Sequence, residues 1–270
     1  MLEIKSIRKT FNPGTVNEVR ALQGVDLTIK EGSFVVVLGM NGSGKSTLLN
    51  AIAGSFYVDE GSITLDGNNV TKWPEHRRAK LIGRVFQNPF SGTAPDMSIA
   101  ENFAMAAMRG KNRGLGWALS PDLMDALRER VITLRMGLEN RLENAIGSLS
   151  GGQRQALTLL MATWLKPSML LLDEHTAALD PKSAHQVITL TDEVVKRDNL
   201  TTLMVTHSMQ QAVNLGDRII MMNRGKVAYD FSGPEKKRLR VEDLLDCFEE
   251  IRRREQLDES TAAMLAGQYV

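Results

Sequence analysis

Two stretches of this chain hold residue types whose spacing can do phosphate chemistry. Gly39-Met40-Asn41-Gly42-Ser43-Gly44-Lys45-Ser46 satisfies G-x-x-x-x-G-K-[ST], the pattern of a phosphate-binding loop. Glycines there let backbone N–H groups wrap a phosphate without side-chain collision. Asn41, Gly42, Ser43 and Gly44 form the cradle, and Lys45 brings a positive charge to the β- and γ-phosphates. Ser46 offers a hydroxyl to Mg²⁺, and Thr47 adds a second hydroxyl for phosphate. Further on, Met169-Leu170-Leu171-Leu172 runs into Asp173 and Glu174. Asp173 suits a hard cation, which prefers oxygen ligands, and Glu174 suits the orientation of an attacking water. An acidic strand end alone is a common loop entry; the phosphate loop upstream gives it meaning.

A third stretch, Leu149-Ser150-Gly151-Gly152-Gln153, lies between the other two. It reads as a helix start, with Ser150 as N-cap and Gln153 three residues on completing a capping box. Capping does not explain the glycines, since each costs about 1 kcal/mol relative to Ala inside a helix. They make sense where the backbone must approach something closely.

The elements that position these stretches alternate. Leu2–Ile7, Val25–Ile29, Ser33–Leu38 and Gly61–Gly67 read as strands, with Lys45–Gly54 as a helix. From about Ser98 to Lys166 the pattern is helical: Ser98-Ile99-Ala100-Glu101 is a capping box, and Pro121–Met136 has helical spacing. Arg109–Gly114 is a basic, glycine-broken loop, read as solvated or as a partner or lipid contact. Met169–Leu172, Thr201–Thr206 and Arg218–Met222 then read as strands, with Lys182–Arg197 as a helix. Alternation of this kind predicts an α/β core with a mainly parallel sheet and a helical lobe inserted in it. In the tail, Val241, Leu244, Leu245, Phe248 and Ile251 share one helical face, expected to pack on the core.

At 270 residues the chain can bury one substantial core with a small appended lobe. Its net charge of +1 gives no reason to expect nucleic acid as a partner. The single cysteine, Cys247, excludes an internal disulfide framework and suits a reducing compartment. Met1-Leu2-Glu3-Ile4-Lys5 lacks the basic-then-apolar pattern of a secretory signal, and no apolar run reaches membrane-spanning length.

The ordered set of motifs resembles the nucleotide-binding subunit of an ATP-binding cassette (ABC) transporter, over roughly residues 2 to 230. That resemblance implies a P-loop NTPase (RecA-like) core, an N-terminal antiparallel β subdomain and an inserted α-helical subdomain. It implies an ATPase domain at 1–232, with the helical part at about 88–166, and a short helical extension at 233–270. It implies ATP and Mg²⁺ as cofactors, hydrolysis by a head-to-tail dimer, and solute transport through a separate membrane permease. By the same resemblance Gln87 matches a loop that links Mg²⁺ to the permease, and His207 a switch that contacts the γ-phosphate. Asp180 matches a loop that crosses the dimer interface, and Phe11 an aromatic that stacks on adenine. Ser150, Gly151, Gly152 and Gln153 match the signature that contacts the ATP of the opposite subunit.

Two positions depart from the family pattern: His175 stands where the family has Pro, and Ala177 where it has Ser. Neither touches the inferred metal ligand or water-orienting acid. Glu174–Pro181 resembles a subgroup serving bacterial importers of amino-acid type, which implies a homodimer, an extracytoplasmic substrate-binding protein and a place on the cytoplasmic face of the inner membrane, peripheral through the permease. The alternatives are a non-transport ABC ATPase of DNA repair or translation, and the ATPase of an exporter or lipoprotein-extraction system.

Overall fold

The computed structural model describes residues 1–110 and 119–267, with side chains as far as 256. In chain order it contains β1 (Leu2–Phe11), β2 (Val19–Ile29), β3 (Phe34–Gly39), α1 (Lys45–Ala53), β4 (Glu60–Leu65), β5 (Asn68–Asn69), α2 (Glu75–Arg78) and β6 (Ile82–Val85). A helical stretch follows, with α3 (Ile99–Ala107), α4 (Pro121–Ile132) and α5 (Gly151–Thr163). The chain closes with β7 (Met169–Asp173), α6 (Pro181–Asp198), β8 (Thr202–Val205), α7 (Met209–Asn214), β9 (Arg218–Asn223), β10 (Lys226–Ser232), α8 (Gly233–Arg238) and α9 (Val241–Gly267).

The strands form an antiparallel sheet, β2-β1-β4-β5, and a larger sheet, β10-β9-β3-β8-β7-β6. The larger sheet is parallel except for the β10–β9 pair. Its central strand β3 is buried throughout, as its β-branched run predicts. Phe34, Val36 and Leu38 enter one core with α5 and α6; Val35 and Val37 enter another with α1 and the antiparallel sheet. The carboxyl ends of β3, β7 and β8 lie side by side, with Asp173 opposite Val205 and Val37 opposite the same Val205. In open α/β sheets that edge is where ligands bind.

Several elements differ from expectation. β6 has no counterpart in the sequence reading, because Ile82-Gly83-Arg84-Val85 is short and interrupted by Gly and Arg. Gly83 is needed there: a Cβ would come within 2.5 Å of the Ala162 carbonyl of α5. The helix expected to reach Met136 ends at Ile132. In the basic loop, residues 111–114 lie outside the described residues, but Arg109 is not solvated: its Nη2 donates to Ala162 O at 3.0 Å. On α9, Leu244 and Ile251 are buried as expected, whereas Leu245 is 46% exposed.

Candidate nucleotide site

The phosphate loop connects β3 to α1, and its shape is imposed from both sides. Gly44 caps α1 with φ 101°, and a Cβ there would meet Ala21 O at 2.6 Å. The β9–β10 turn clamps the loop: Gly225 N donates to Ser43 O at 2.9 Å, and Gln23 N donates to Gly225 O at 2.9 Å. No side chain caps α1, so its first-turn amides face the loop with the positive end of the helix dipole. At the far end of α1 the buried Arg78 donates to the carbonyls of Ala51 at 2.6 Å and Ile52 at 2.9 Å, complementing the negative end.

Lys45 is 5% exposed, and its ammonium donates to Gly39 O at 2.8 Å and Met40 O at 3.0 Å. Burial pulls this ammonium below the ordinary lysine range, with Glu174 and Asp173 working against that. Ser43 Oγ is buried in the loop with no hydrogen-bond partner among the described residues. A cationic ammonium, an orphaned hydroxyl and a helix N-terminus around one glycine cradle fit a polyphosphate.

Asp173 ends β7, and burial pushes its carboxyl above the usual carboxylate range, with Arg84 opposing. Arg84 Nη2 lies 3.6 Å from Asp173 Oδ2 and 2.6 Å from Asn50 Oδ1 of α1. This contact joins residues far apart in sequence and was not legible there. Glu174 turns the chain with φ 44°, its N–H donates to Val205 O at 3.0 Å, and its Oε1 lies 2.6 Å from His207 Nε2. Among the described residues no cluster of three or more His, Cys, Asp or Glu is placed to hold a metal. One carboxylate with the Ser46 hydroxyl is instead the sparse set Mg²⁺ takes when substrate phosphates complete its shell.

A cleft of about 270 Å³ gathers most of the predicted residues: Phe11, Asn41, Gly42, Ser43, Gly44, Lys45, Ser46, Thr47, Glu174 and His207 line it. Val19 and Ala21 of β2 complete the wall beside Phe11, an addition the sequence reading lacked. Phe11 packs edge-on against Phe56, with ring centroids 5.3 Å apart. Gln87 does not line this cleft and stands exposed just after β6.

The third stretch lies elsewhere. Ser150 caps α5 in a full capping box with Gln153, whose Nε2 also donates to Met136 O at 3.3 Å. Ser150, Gly152 and Gln153 line a second cleft of about 320 Å³ with Arg135, Met136, Ser183 and Gln186, and the two clefts share no residue. The glycines have a neighbour within the chain: a Cβ on Gly152 would fall 2.7 Å from Ser183 Cβ, and one on Gly151 3.1 Å from Leu179. Close approach is therefore already required by α6 and the turn before it. An external phosphate is not the sole reason for Gly-Gly, which amends the expectation above. Asp180 is the exposed N-cap of α6, its carboxylate accepting from Ser183 N at 3.0 Å and held below the usual range by that residue.

The fold and the first cleft define a phosphate-loop α/β nucleotide-binding protein. The family described as ABC transporter matches residues 22–177, and this chain belongs to it. It is 43% identical over 251 residues to a tyrosine transport ATP-binding protein of Clostridioides difficile, covering 92% of this chain and 99% of that one. It is 34% identical to a spermidine/putrescine import ATP-binding protein of Haemophilus influenzae, where the match covers 87% of this chain but 59% of the relative. Among solved structures it resembles a dimeric ATP-binding cassette in a post-hydrolysis state bound to ADP and Pi, with a TM-score of 0.73, 30% identity, and 86% and 98% of the two chains covered. As a member of this family the chain is an ATP-binding, ATP-hydrolysing transporter subunit that associates with a membrane permease. No helix among the described residues is long and apolar enough to cross a membrane.

Proposed function

We propose that this chain powers import of a small polar solute of amino-acid type, as half of a head-to-tail dimer of identical chains beneath a separate permease. The single observation that carries the dimer is the separation of the two clefts. The phosphate-loop cleft and the signature cleft have no residue in common, and the chain resembles dimeric ATP-binding cassettes, which together support a nucleotide shared between two chains. The amino-acid class rests on the near full-length relationship to a tyrosine transport ATP-binding protein, and the extracytoplasmic binding protein on the resemblance of Glu174–Pro181 to the importer subgroup. Residues 1–232 then act as the ATPase domain with a helical part at about 88–166, and 233–270 as an extension.

In this reading ATP enters with its adenine toward Phe11 and its phosphates in the glycine cradle. Lys45 exchanges the carbonyls of Gly39 and Met40 for β- and γ-phosphate oxygens. Asp173, Ser46 and Gln87 would hold Mg²⁺, which when bound neutralises charge building on the phosphates. Glu174 orients the attacking water and draws on its proton, while His207 holds the carboxylate and faces the γ-phosphate. Ser150, Gly151, Gly152, Gln153 and Asp180 of the second chain close the site, and a second helix N-terminus then points at the same triphosphate. Hydrolysis and phosphate loss open the dimer, and the segment from Gln87 onward passes that movement to the permease.

The test is Glu174→Gln, sized by light scattering with and without Mg-ATP. The expected result is an ATP-dependent dimer with little turnover. An unchanged monomer at saturating Mg-ATP would overturn the dimer.

A further inference from the structure

His175 directly follows the water-orienting acid, and the chemistry above does not use it. Its ring is 2% exposed, and its Nε2 lies 3.0 Å from Thr191 Oγ1 of α6. Thr191 donates its own hydroxyl hydrogen to Val187 O at 2.8 Å, so toward the imidazole it can only accept. The ring proton therefore sits on Nε2, directed into α6.

The neighbouring Thr176 is tied the other way. Gln211 Nε2 donates to Thr176 Oγ1 at 3.3 Å, and Gln211 Oε1 accepts from Thr206 Oγ1 at 2.7 Å, beside His207. The turn itself is closed by Ala177 N donating to Glu174 O at 2.9 Å. Inside it Glu174 holds φ 44°, a left-handed conformation that a residue with a Cβ keeps only where its surroundings over-determine it. His175 and Thr176 supply those surroundings from two sides. At its N-terminal end α6 carries Asp180 and sets Ser183 against Gly152 of the signature helix.

We propose that His175 is a positioning residue: its buried bond to Thr191 fixes Glu174 to α6, so that the acid of one cleft and the signature of the other share a single support. The inference rests on the reading of Glu174 as the water-orienting acid.

Its test compares kcat for ATP hydrolysis with equilibrium ATP binding in several variants. Thr191→Val removes the acceptor, and Thr191→Ser keeps it. His175→Phe removes the donor without leaving Thr191 unsatisfied, since Val187 O still accepts its hydroxyl. Thr191→Val and His175→Phe should each lose kcat by about tenfold, with ATP affinity held within about twofold, and Thr191→Ser should retain kcat. Full kcat in both damaging variants overturns the tether, as does an equal loss in Thr191→Ser. Unimpaired turnover in Glu174→Gln, run alongside, overturns instead the role of the acid on which the inference rests.

Discussion

Glu174 Oε1 and His207 Nε2 lie 2.6 Å apart, joining the residue after β7 to the loop after β8. The acid is thereby aimed before any water arrives. His207→Ala should lower kcat by about 100-fold, within the range for a lost acid–base partner, while ATP still binds. Stopped turnover with intact nucleotide affinity, measured by steady-state hydrolysis and equilibrium binding, is the expected pair; near-normal kcat counts against the assignment.

Lys45 makes two short bonds to loop carbonyls from a nearly buried position. Lys45→Ala removes the charge meant for the phosphates, and ATP affinity should fall at least about tenfold on the scale of charge-assisted hydrogen bonds. Calorimetric titration with ATP checks it; retained affinity would remove Lys45 from phosphate binding.

Gly152 has no room for a methyl group beside Ser183. Gly152→Ala should destabilise the chain by about 1–3 kcal/mol through overpacking. Ser183→Gly, which keeps the backbone N–H bonded to Asp180, should recover part of the loss. A double-mutant cycle from urea unfolding measures the coupling; a value of zero would mean that the glycine is there for another reason.

Burial lowers the His175 imidazole from the ordinary 6.5 to about 4. Between those values the unfolded chain binds a proton that the folded chain refuses. Stability is therefore present above pH 6.5 and falls as pH drops through the window, by about 3 kcal/mol in full. Urea unfolding of the nucleotide-free protein at pH 7 and pH 5 should show about 2 kcal/mol of this loss, reduced in His175→Phe. Identical pH slopes in the two proteins would contradict it.

The site was legible where its chemistry is contiguous. The glycine loop, the Asp173–Glu174 pair and the Ser150 cap are each fixed by a few adjacent residues, and the alternating strands and helices gave the α/β core around them. What escaped depends on contacts across the chain. Arg84 meets Asp173 only because β6 pairs with β7, and β6 was hidden by a glycine that makes sense only against α5. Val19 and Ala21 join Phe11 through strand pairing that no local pattern announces. The signature glycines have no local reason in the sequence because their neighbour Ser183 lies a full element away.

The division of the nucleotide machinery between two clefts has a genetic consequence. In a dimer of the proposed kind, each catalytic unit combines the loop of one chain with the signature of its mate. A chain disabled at Lys45 and a chain disabled at Ser150 are each inert alone, yet mixed together they assemble one whole unit from their undamaged halves. Activity reappearing on mixing two dead proteins would be the mark of a machine whose working parts are never owned by a single polypeptide.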